Sequence, residues 1–235
     1  VRNMKNGQQG IWIFEIGNIF ILKEKNIIET KSILSGVICG ENRLEKWSKP
    51  KKNSCLNYYE ARGVLKVIFD SLKLEVQDVR LDNDDILHPG RSASLILEGS
   101  IIGKFGQIHP EITQSRELPK ISYLFELDLE KILIASTRPA KYIPSFKPYS
   151  TYPAMERDIS LYVDSNVNSN EITNLVKKTG KKLLEKITLI DMFQSEDHQN
   201  KVSYTYRLCY RKQQSTLTED EIQPIHQDIL NKLEG

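Results

Sequence analysis

The stretch RDISLYVD at residues 157–164 decides the fold of the second half of the chain. Every second residue is aliphatic, in the order Ile159, Leu161 and Val163. This period of two is typical of a strand with one buried face. The residues between them, Asp158, Ser160 and Tyr162, must point to the other face. The stretch therefore predicts a sheet with one covered and one open side.

Two helices and two more strands follow this first strand. Asn168 and Glu171 have the spacing of a capping box and predict a helix start. Its apolar stripe is Ile172, Leu175, Val176, Leu183 and Ile187. Strands are predicted over 188–193 and 202–210. Thr218 and Glu221 form a second capping box, and Pro224 predicts a kink or a later start of that helix.

The resulting order is βαββα, which lacks only a last strand to be ferredoxin-like. The first strand is then expected to be a bare edge. Alternation assigns the predicted core face to Ile159, Leu161, Val163, Ile190, Met192, Val202, Tyr204, Tyr206 and Leu208. It assigns the open face to Asp158, Ser160, Tyr162, Asp191, Phe193, Ser203, Thr205 and Arg207.

The open face combines an aromatic ring, hydrogen-bonding groups and a cation. Surfaces of this kind stack on splayed RNA bases and contact their edges. An ordinary solvated sheet face has the same pattern, so both interpretations stay open. The first helix also carries Lys177, Lys178, Lys181 and Lys182 opposite its apolar stripe, and Lys186 nearer the edge of that stripe. These lysines form either a phosphate-binding rail or a solvated helix face.

Closely spaced prolines separate this part from the first half of the chain. Pro139, Pro144, Pro148 and Pro153 exclude a helix or a central strand there. We expect one domain over 1–138, a linker over 139–150 and a second domain over 151–235.

The first domain is predicted to be an antiparallel sheet with helical cover. Residues 11–16 and 19–22 are apolar on both faces, which predicts buried strands. Further strands are expected over 33–39, 94–97, 101–108 and 123–129, and a helix over 57–74. The fold class is α+β.

Composition excludes several classes of function. A net charge of +2 gives no bulk polyanion-binding signal. The cysteines are odd in number and scattered, which favours a reducing compartment, either cytoplasm or plastid stroma. No apolar run is long enough for a transmembrane helix. His88 and His109 each precede a proline, which predicts structural turns, and neither a metal site nor catalytic residues are expected.

Four motifs in order resemble the ferredoxin-fold anticodon-binding domain of the phenylalanyl-tRNA synthetase β-subunit family. They are TYPAMERDI at 151–159, LIDMF at 189–193, SYTYRL at 203–208 and TLTEDE at 216–221. The resemblance implies that Asp191, Phe193 and Ser203 approach the anticodon. Arg157 in the first motif, the open-face cation Arg207, and Lys178 and Lys181 of the lysine-rich helix face are further candidate tRNA contacts.

The first domain resembles the same family's catalytic-like core. The motifs are FEIG at 14–17, LHPGRSA at 87–93 and GKFGQIHP at 103–110. A working class II synthetase site needs an Arg beside a Glu on its second motif, and glycines and an Arg on its third. The corresponding stretch here is FELDLEK at 125–131, whose carboxylates Glu126 and Asp128 at glycine-like positions would repel a triphosphate. The resemblance thus implies a non-catalytic scaffold.

The partners that the resemblance implies are a catalytic α subunit, in an α2β2 heterotetramer, and tRNA(Phe). ATP and Mg²⁺ would be used by the holoenzyme and not bound by this chain, and no membrane is involved. Two other functions remain open at this point. One is a standalone RNA-binding adaptor, and the other is an interaction protein whose sheet face binds another protein.

Overall fold

The computed structural model describes residues 6, 10–23, 27–40, 56–139, 143, 146, 148–194 and 200–234. The chain divides into two compact units, Val1–Ser145 and Phe146–Gly235. The division falls within the segment 139–150 that was expected to be a linker, and part of that segment, with Pro144, lies outside the described residues. Within the described residues, no helix has both the length and the apolar character needed to cross a bilayer.

The described residues of unit 1 form a six-stranded antiparallel sheet with three helices. The strands are β1 (Gly10–Leu22), β2 (Ile28–Gly40), β3 (Val76–Arg80), β4 (Leu87–Leu97), β5 (Ser100–Ile108) and β6 (Ser122–Asp128). Their order across the sheet is β1-β2-β6-β5-β4-β3. The helices are α1 (Tyr58–Ser71), α2 (Pro110–Ser115) and α3 (Leu129–Ser136). The predicted antiparallel sheet with helical cover is confirmed.

Local sequence explains the ends of these elements. Asn57 caps α1 in a reciprocal capping box with Glu60, which satisfies two backbone donors of the first turn. Glu98 and Gly99 both have positive φ, so the β4–β5 hairpin closes in two residues. One face of α1 packs on the sheet and forms the core, which includes Leu65, Phe69, Leu95, Phe105, Phe125 and Leu127.

The prediction that residues 11–16 and 19–22 form buried strands is wrong. They belong to one strand, β1, which lies at the end of the sheet and has a strand partner on one side only among the described residues. Phe14 is 73% exposed and Phe20 is 72% exposed. The exposed apolar side chains of β1 and the facing end of β2 are here called the apolar edge: Ile13, Phe14, Ile16, Ile19, Phe20, Leu22 and Ile28.

The end of the apolar edge that contains Ile19, Phe20, Leu22 and Ile28 is not paired with a third strand among the described residues. Strand β6 pairs with β2 only over Ile33–Cys39. The pairs Asn18–Ser32 to Leu22–Ile28 therefore form a two-stranded extension of the sheet. An isolated hairpin is marginally stable in water, so exposed apolar side chains here favour burial against a partner.

Unit 2 has the predicted βαββα order. Its elements are β7 (Met155–Asp164), α4 (Ser169–Gly180), β8 (Leu184–Phe193), β9 (Lys201–Tyr210) and α5 (Glu219–Glu234). The strands pair antiparallel in the order β7-β9-β8. Both helices bury their apolar sides against one face of the sheet, where the core includes Ile159, Ile172, Val176, Tyr206, Leu208, Ile222 and Ile229.

Helix α4 differs from prediction at its C-terminal end, whereas α5 starts at its predicted cap. Helix α4 stops at Gly180, because the next residue, Lys181, has a φ of +50°. Ile187, which was predicted to lie in the helical stripe, therefore lies in β8. Helix α5 starts at Glu219, directly after the predicted cap Thr218, and runs through Pro224.

The predicted core face fails at the end of β8. The pairing of β8 with β9 shifts between Leu189 and Asp191, so that Ile190 is the extra residue of a β-bulge. Ile190 and Met192, both predicted to lie in the core, are exposed. Asp191 and Phe193 keep their predicted places opposite Thr205 and Ser203.

Candidate nucleic-acid interface

The residues predicted for the open face of the unit 2 sheet lie in three consecutive rows of side chains, each crossing β7, β9 and β8. The rows are Asp158–Arg207–Thr188, Ser160–Thr205–Asp191 and Tyr162–Ser203–Phe193. Every residue that was predicted for the open face lies in these rows. Because both helices pack on the opposite side, the rows face outward.

The last row has an aromatic residue on each outer strand. Tyr162 is 67% exposed and Phe193 is 58% exposed. Ser203 lies between them on the central strand. Exposed rings beside a small hydroxyl can stack on bases and hydrogen-bond to their edges.

The middle row is partly organised by its own hydrogen bonds. The hydroxyls of Ser160 and Thr205 lie 2.9 Å apart and bond to each other. The Asp191 Oδ1 accepts a 2.9 Å hydrogen bond from the Met192 amide, which follows the bulge. A bulge commonly redirects a side chain next to a binding site, and here it precedes Asp191.

Arg207 lies on the open face, but it is already paired. Its guanidinium donates two 2.8 Å hydrogen bonds to the two carboxylate oxygens of Asp158. The hydrogen bonds from Arg207 lower the pKa of Asp158, and those to Asp158 raise the pKa of Arg207. Glu156 approaches the same guanidinium at 3.6 Å. Arg207 therefore presents a neutralised, flat group rather than a free cation.

The charges on this face are nearly balanced. By register, the carboxylates are Glu156, Asp158, Asp164 and Asp191, and the cations are Lys186, Lys201 and Arg207. Affinity gained by counterion release requires an excess of cations against phosphates. We therefore expect any RNA bound here to depend on stacking and hydrogen bonding, with a shallow salt dependence.

Three of the predicted tRNA contacts lie away from the open face. Arg157 is two residues from Ile159 on β7 and therefore lies on the same, helix-covered face of the sheet. Its guanidinium donates a hydrogen bond to Glu219 at the start of α5. Lys178 and Lys181 lie at the end of α4, which packs on that same side. Lys186, which was assigned to the helix edge, instead lies on β8 opposite Cys209. The open face brings together Asp191, Phe193, Ser203 and Arg207 only.

Unit 1 carries a polar row on the sheet face that lies opposite its helices. Pairing places Glu15 beside Ser35, Ser35 beside Glu126, and Glu126 beside Lys104. The Lys104 ammonium lies 2.6 Å from Asp84, whose carboxylate also accepts hydrogen bonds from the Ile86 and Leu87 amides. Thus the lysine of this row is already neutralised.

The histidines and Asp128, whose residue types could suggest a catalytic or metal site, have structural roles. The His88 Nδ1 accepts a 3.0 Å hydrogen bond from the Gly90 amide, and His109 caps α2. Asp128 caps α3 by accepting from the Lys131 amide. Over the described ranges, no three His, Cys, Asp or Glu side chains come together as a possible metal site. Cys39 and Cys209 are free thiols, and Cys55 lies outside the described residues.

Comparison with protein families agrees with the two-unit organisation. The family described as the phenylalanyl tRNA synthetase beta chain CLM domain matches residues 1–129. The ferredoxin-fold anticodon binding domain matches residues 150–235. The first match alone covers more than half of the chain.

Whole-chain relatives are named phenylalanine–tRNA ligase beta subunit. The protein of Parasynechococcus marenigrum is 45% identical over 234 residues, which cover 99% of this chain and 29% of the relative. A Synechococcus relative is 46% identical, with 97% of this chain and 28% of the relative covered. A Prochlorococcus marinus relative is 45% identical, with 99% and 28% covered. The chain spans less than a third of the length of these relatives.

Proposed function

The chain belongs to the phenylalanine–tRNA ligase β-subunit family, and on this premise we propose that it supports the ligation of phenylalanine to tRNA(Phe) without performing the chemistry. Unit 1 holds the catalytic α subunit, in an α2β2 heterotetramer. Unit 2 holds the anticodon. ATP and Mg²⁺ are used at the α subunit, in the cytoplasm or the plastid stroma.

The apolar edge supports the scaffold role of unit 1. It places seven large apolar side chains in solvent along one strand and its hairpin. Soluble proteins rarely leave such a surface uncovered, and interface cores are rich in aromatic and aliphatic residues. A subunit that closes over β1 would bury these side chains and also pair its free edge. This feature favours an assembled subunit over a standalone RNA-binding adaptor.

The polar row of unit 1 supports the non-catalytic role. By resemblance, Glu126 lies at a glycine-like position of the third motif, and Glu15 adds a second carboxylate to the same row. The only cation of this row, Lys104, is paired with Asp84. Like charges at short range raise the free energy of binding a polyphosphate.

We expect this chain to bind no ATP. Titrating it with ATP and Mg²⁺ in a calorimeter should give no saturable heat, because the polar row offers carboxylates where phosphates would lie. The complex with the α subunit serves as the positive control and should give a binding isotherm. A micromolar or tighter signal from the chain alone would refute the scaffold assignment.

The pair of Ser203 and Phe193 on the open face carries the RNA-binding role of unit 2. It lies on the solvent side of the sheet, in the unit that matches the anticodon-binding domain. Stacking on such rings does not require net positive charge. That property fits the balanced charges of the face.

Phe193→Ala in the assembled ligase should weaken tRNA(Phe) binding by about 1–3 kcal/mol, because one base loses its stacking partner. The loss should be the same at low and high salt, since stacking releases no counterions. Binding isotherms at two salt concentrations measure both quantities. Phe146→Ala is the matched control, because Phe146 is an exposed phenylalanine outside the sheet. Unchanged tRNA affinity in a folded Phe193→Ala protein would show that RNA binds elsewhere.

A further inference from the structure

The open face carries a second aromatic side chain, Tyr162, in addition to the residues proposed above as anticodon contacts. Its neighbours along β7, Leu161 and Val163, pack inward against the core of unit 2. Its ring therefore stands on the solvent side, in the same row as Ser203 and Phe193. An exposed ring with a polar tip is the type of side chain that binding surfaces favour.

We propose that Tyr162 and Phe193 stack on two successive unpaired bases of one RNA strand, with Ser203 between them as a hydrogen-bonding partner. This inference rests on the proposed RNA-binding function of the open face. It makes Tyr162 a second determinant of affinity at a site where one aromatic residue was expected.

The spacing of the strands fits two bases. Tyr162 and Phe193 lie on the outer strands, so their backbones are two strand spacings, or roughly 10 Å, apart. The residue between them is a serine, which leaves the space above the central strand open to both rings. Sheets that bind single-stranded RNA use aromatic residues on separate strands to stack on two or three bases.

The neighbouring row fits the same ligand. The hydroxyls of Ser160 and Thr205 are hydrogen-bonded to each other, so each keeps a partner when an RNA base covers them. Asp191 follows on the Phe193 side, with one oxygen held by the Met192 amide. Asp191 therefore offers a base-edge acceptor beside the Phe193 ring. The Tyr162 position is expected to tolerate any base, because stacking has little sequence preference.

The experiment combines protein variants with removal of single bases. The ligand is the anticodon stem-loop RNA of tRNA(Phe), made once intact and once with an abasic nucleotide at each loop position. The assembled ligase is tested as wild type, Phe193→Ala, Tyr162→Val and Tyr162→Phe. Valine keeps the strand propensity at this exposed position, and phenylalanine keeps the ring. Tyr59→Val, at an exposed tyrosine of α1, is the matched control.

In the wild type, two adjacent loop positions should each lose roughly 5- to 150-fold in affinity when the base is removed. Phe193→Ala should abolish the sensitivity at one position, and Tyr162→Val should abolish it at the next. Tyr162→Phe and Tyr59→Val should keep the wild-type pattern. A purely structural role of Tyr162 would instead weaken all RNAs equally, without changing the pattern.

The possible outcomes distinguish failure of the Tyr162 proposal from failure of the proposed RNA-binding function. If Phe193→Ala changes the pattern and Tyr162→Val matches the wild type, the face stacks on one base and the inference is overturned, while the proposed function stands. A uniform loss in Tyr162→Val, at every loop position, overturns it equally. If neither variant changes binding, the proposed function fails as well.

Discussion

Replacing Phe14 and Phe20 together with aspartate is expected to abolish co-purification of this chain with the α subunit. Both side chains are more than two-thirds exposed, so the change should leave unit 1 folded. In the assembly, each would leave a buried carboxylate where an apolar contact had been. Central aromatic residues of an interface contribute about 2 kcal/mol or more each, so the loss of two should raise Kd by about 700-fold or more.

A tagged α subunit co-expressed with each variant provides the measurement. Ile101→Asp is the matched control, since Ile101 is an exposed aliphatic residue on β5, three strands away from β1. It should co-purify as the wild type does, and circular dichroism should show both variants folded. Undiminished recovery of the double variant would place the α subunit on another surface.

Tyr206→Ala is expected to unfold unit 2. Tyr206 is 1% exposed and packs in the core between the sheet and α4. Its hydroxyl lies 3.5 Å from the Ser169 carbonyl oxygen at the start of that helix. Deleting a large aromatic side chain from a core costs about 3–5 kcal/mol, which is a large part of the stability of a small domain.

Urea denaturation followed by tyrosine fluorescence would show the loss as a lower midpoint. Tyr206→Phe is the matched control, because it keeps the buried ring and removes only the hydroxyl with its hydrogen bonds, at a cost of about 1 kcal/mol. RNA binding should fall in Tyr206→Ala only as far as the unit unfolds. A variant that keeps the wild-type midpoint would contradict the assignment of Tyr206 to the core.

The sequence predicts unit 2 well because its signals are local. Alternation in β7 and β9 gives the faces, and the Asn168 and Thr218 caps give the two helix starts. The bulge at Ile190 was missed because nothing in the run of residues 188–193 marks it. A bulge is decided by how two strands pair, and that information lies in the partner strand as much as in β8.

Unit 1 shows a different limit of sequence patterns. An apolar strand has the same sequence pattern whether it lies inside a sheet or against another chain. Residues 11–16 and 19–22 were therefore predicted to be buried, and the structure of this chain exposes most of them. Burial on both faces remains compatible with the sequence once a partner subunit covers β1.

Among the predicted site residues, those assigned by strand alternation were placed correctly, and one assigned from a family motif was not. Asp191, Phe193 and Ser203 were placed correctly on the open face by strand parity. Arg157 was proposed from motif resemblance, although its parity with Ile159 already predicted the covered side. Tyr162 had the right parity, and the family motifs alone gave no reason to single it out. A role of these residues in binding tRNA remains a prediction.

The apolar edge also has a consequence for how the chain can be produced in a cell. Chains made in excess of their partner would leave β1 open to pairing with β1 of another copy, which is a route to aggregation. Light scattering by the unpartnered chain would register this self-association. If the proposed α subunit covers β1, this one exposed strand calls for matched synthesis of the two subunits or rapid degradation of the surplus.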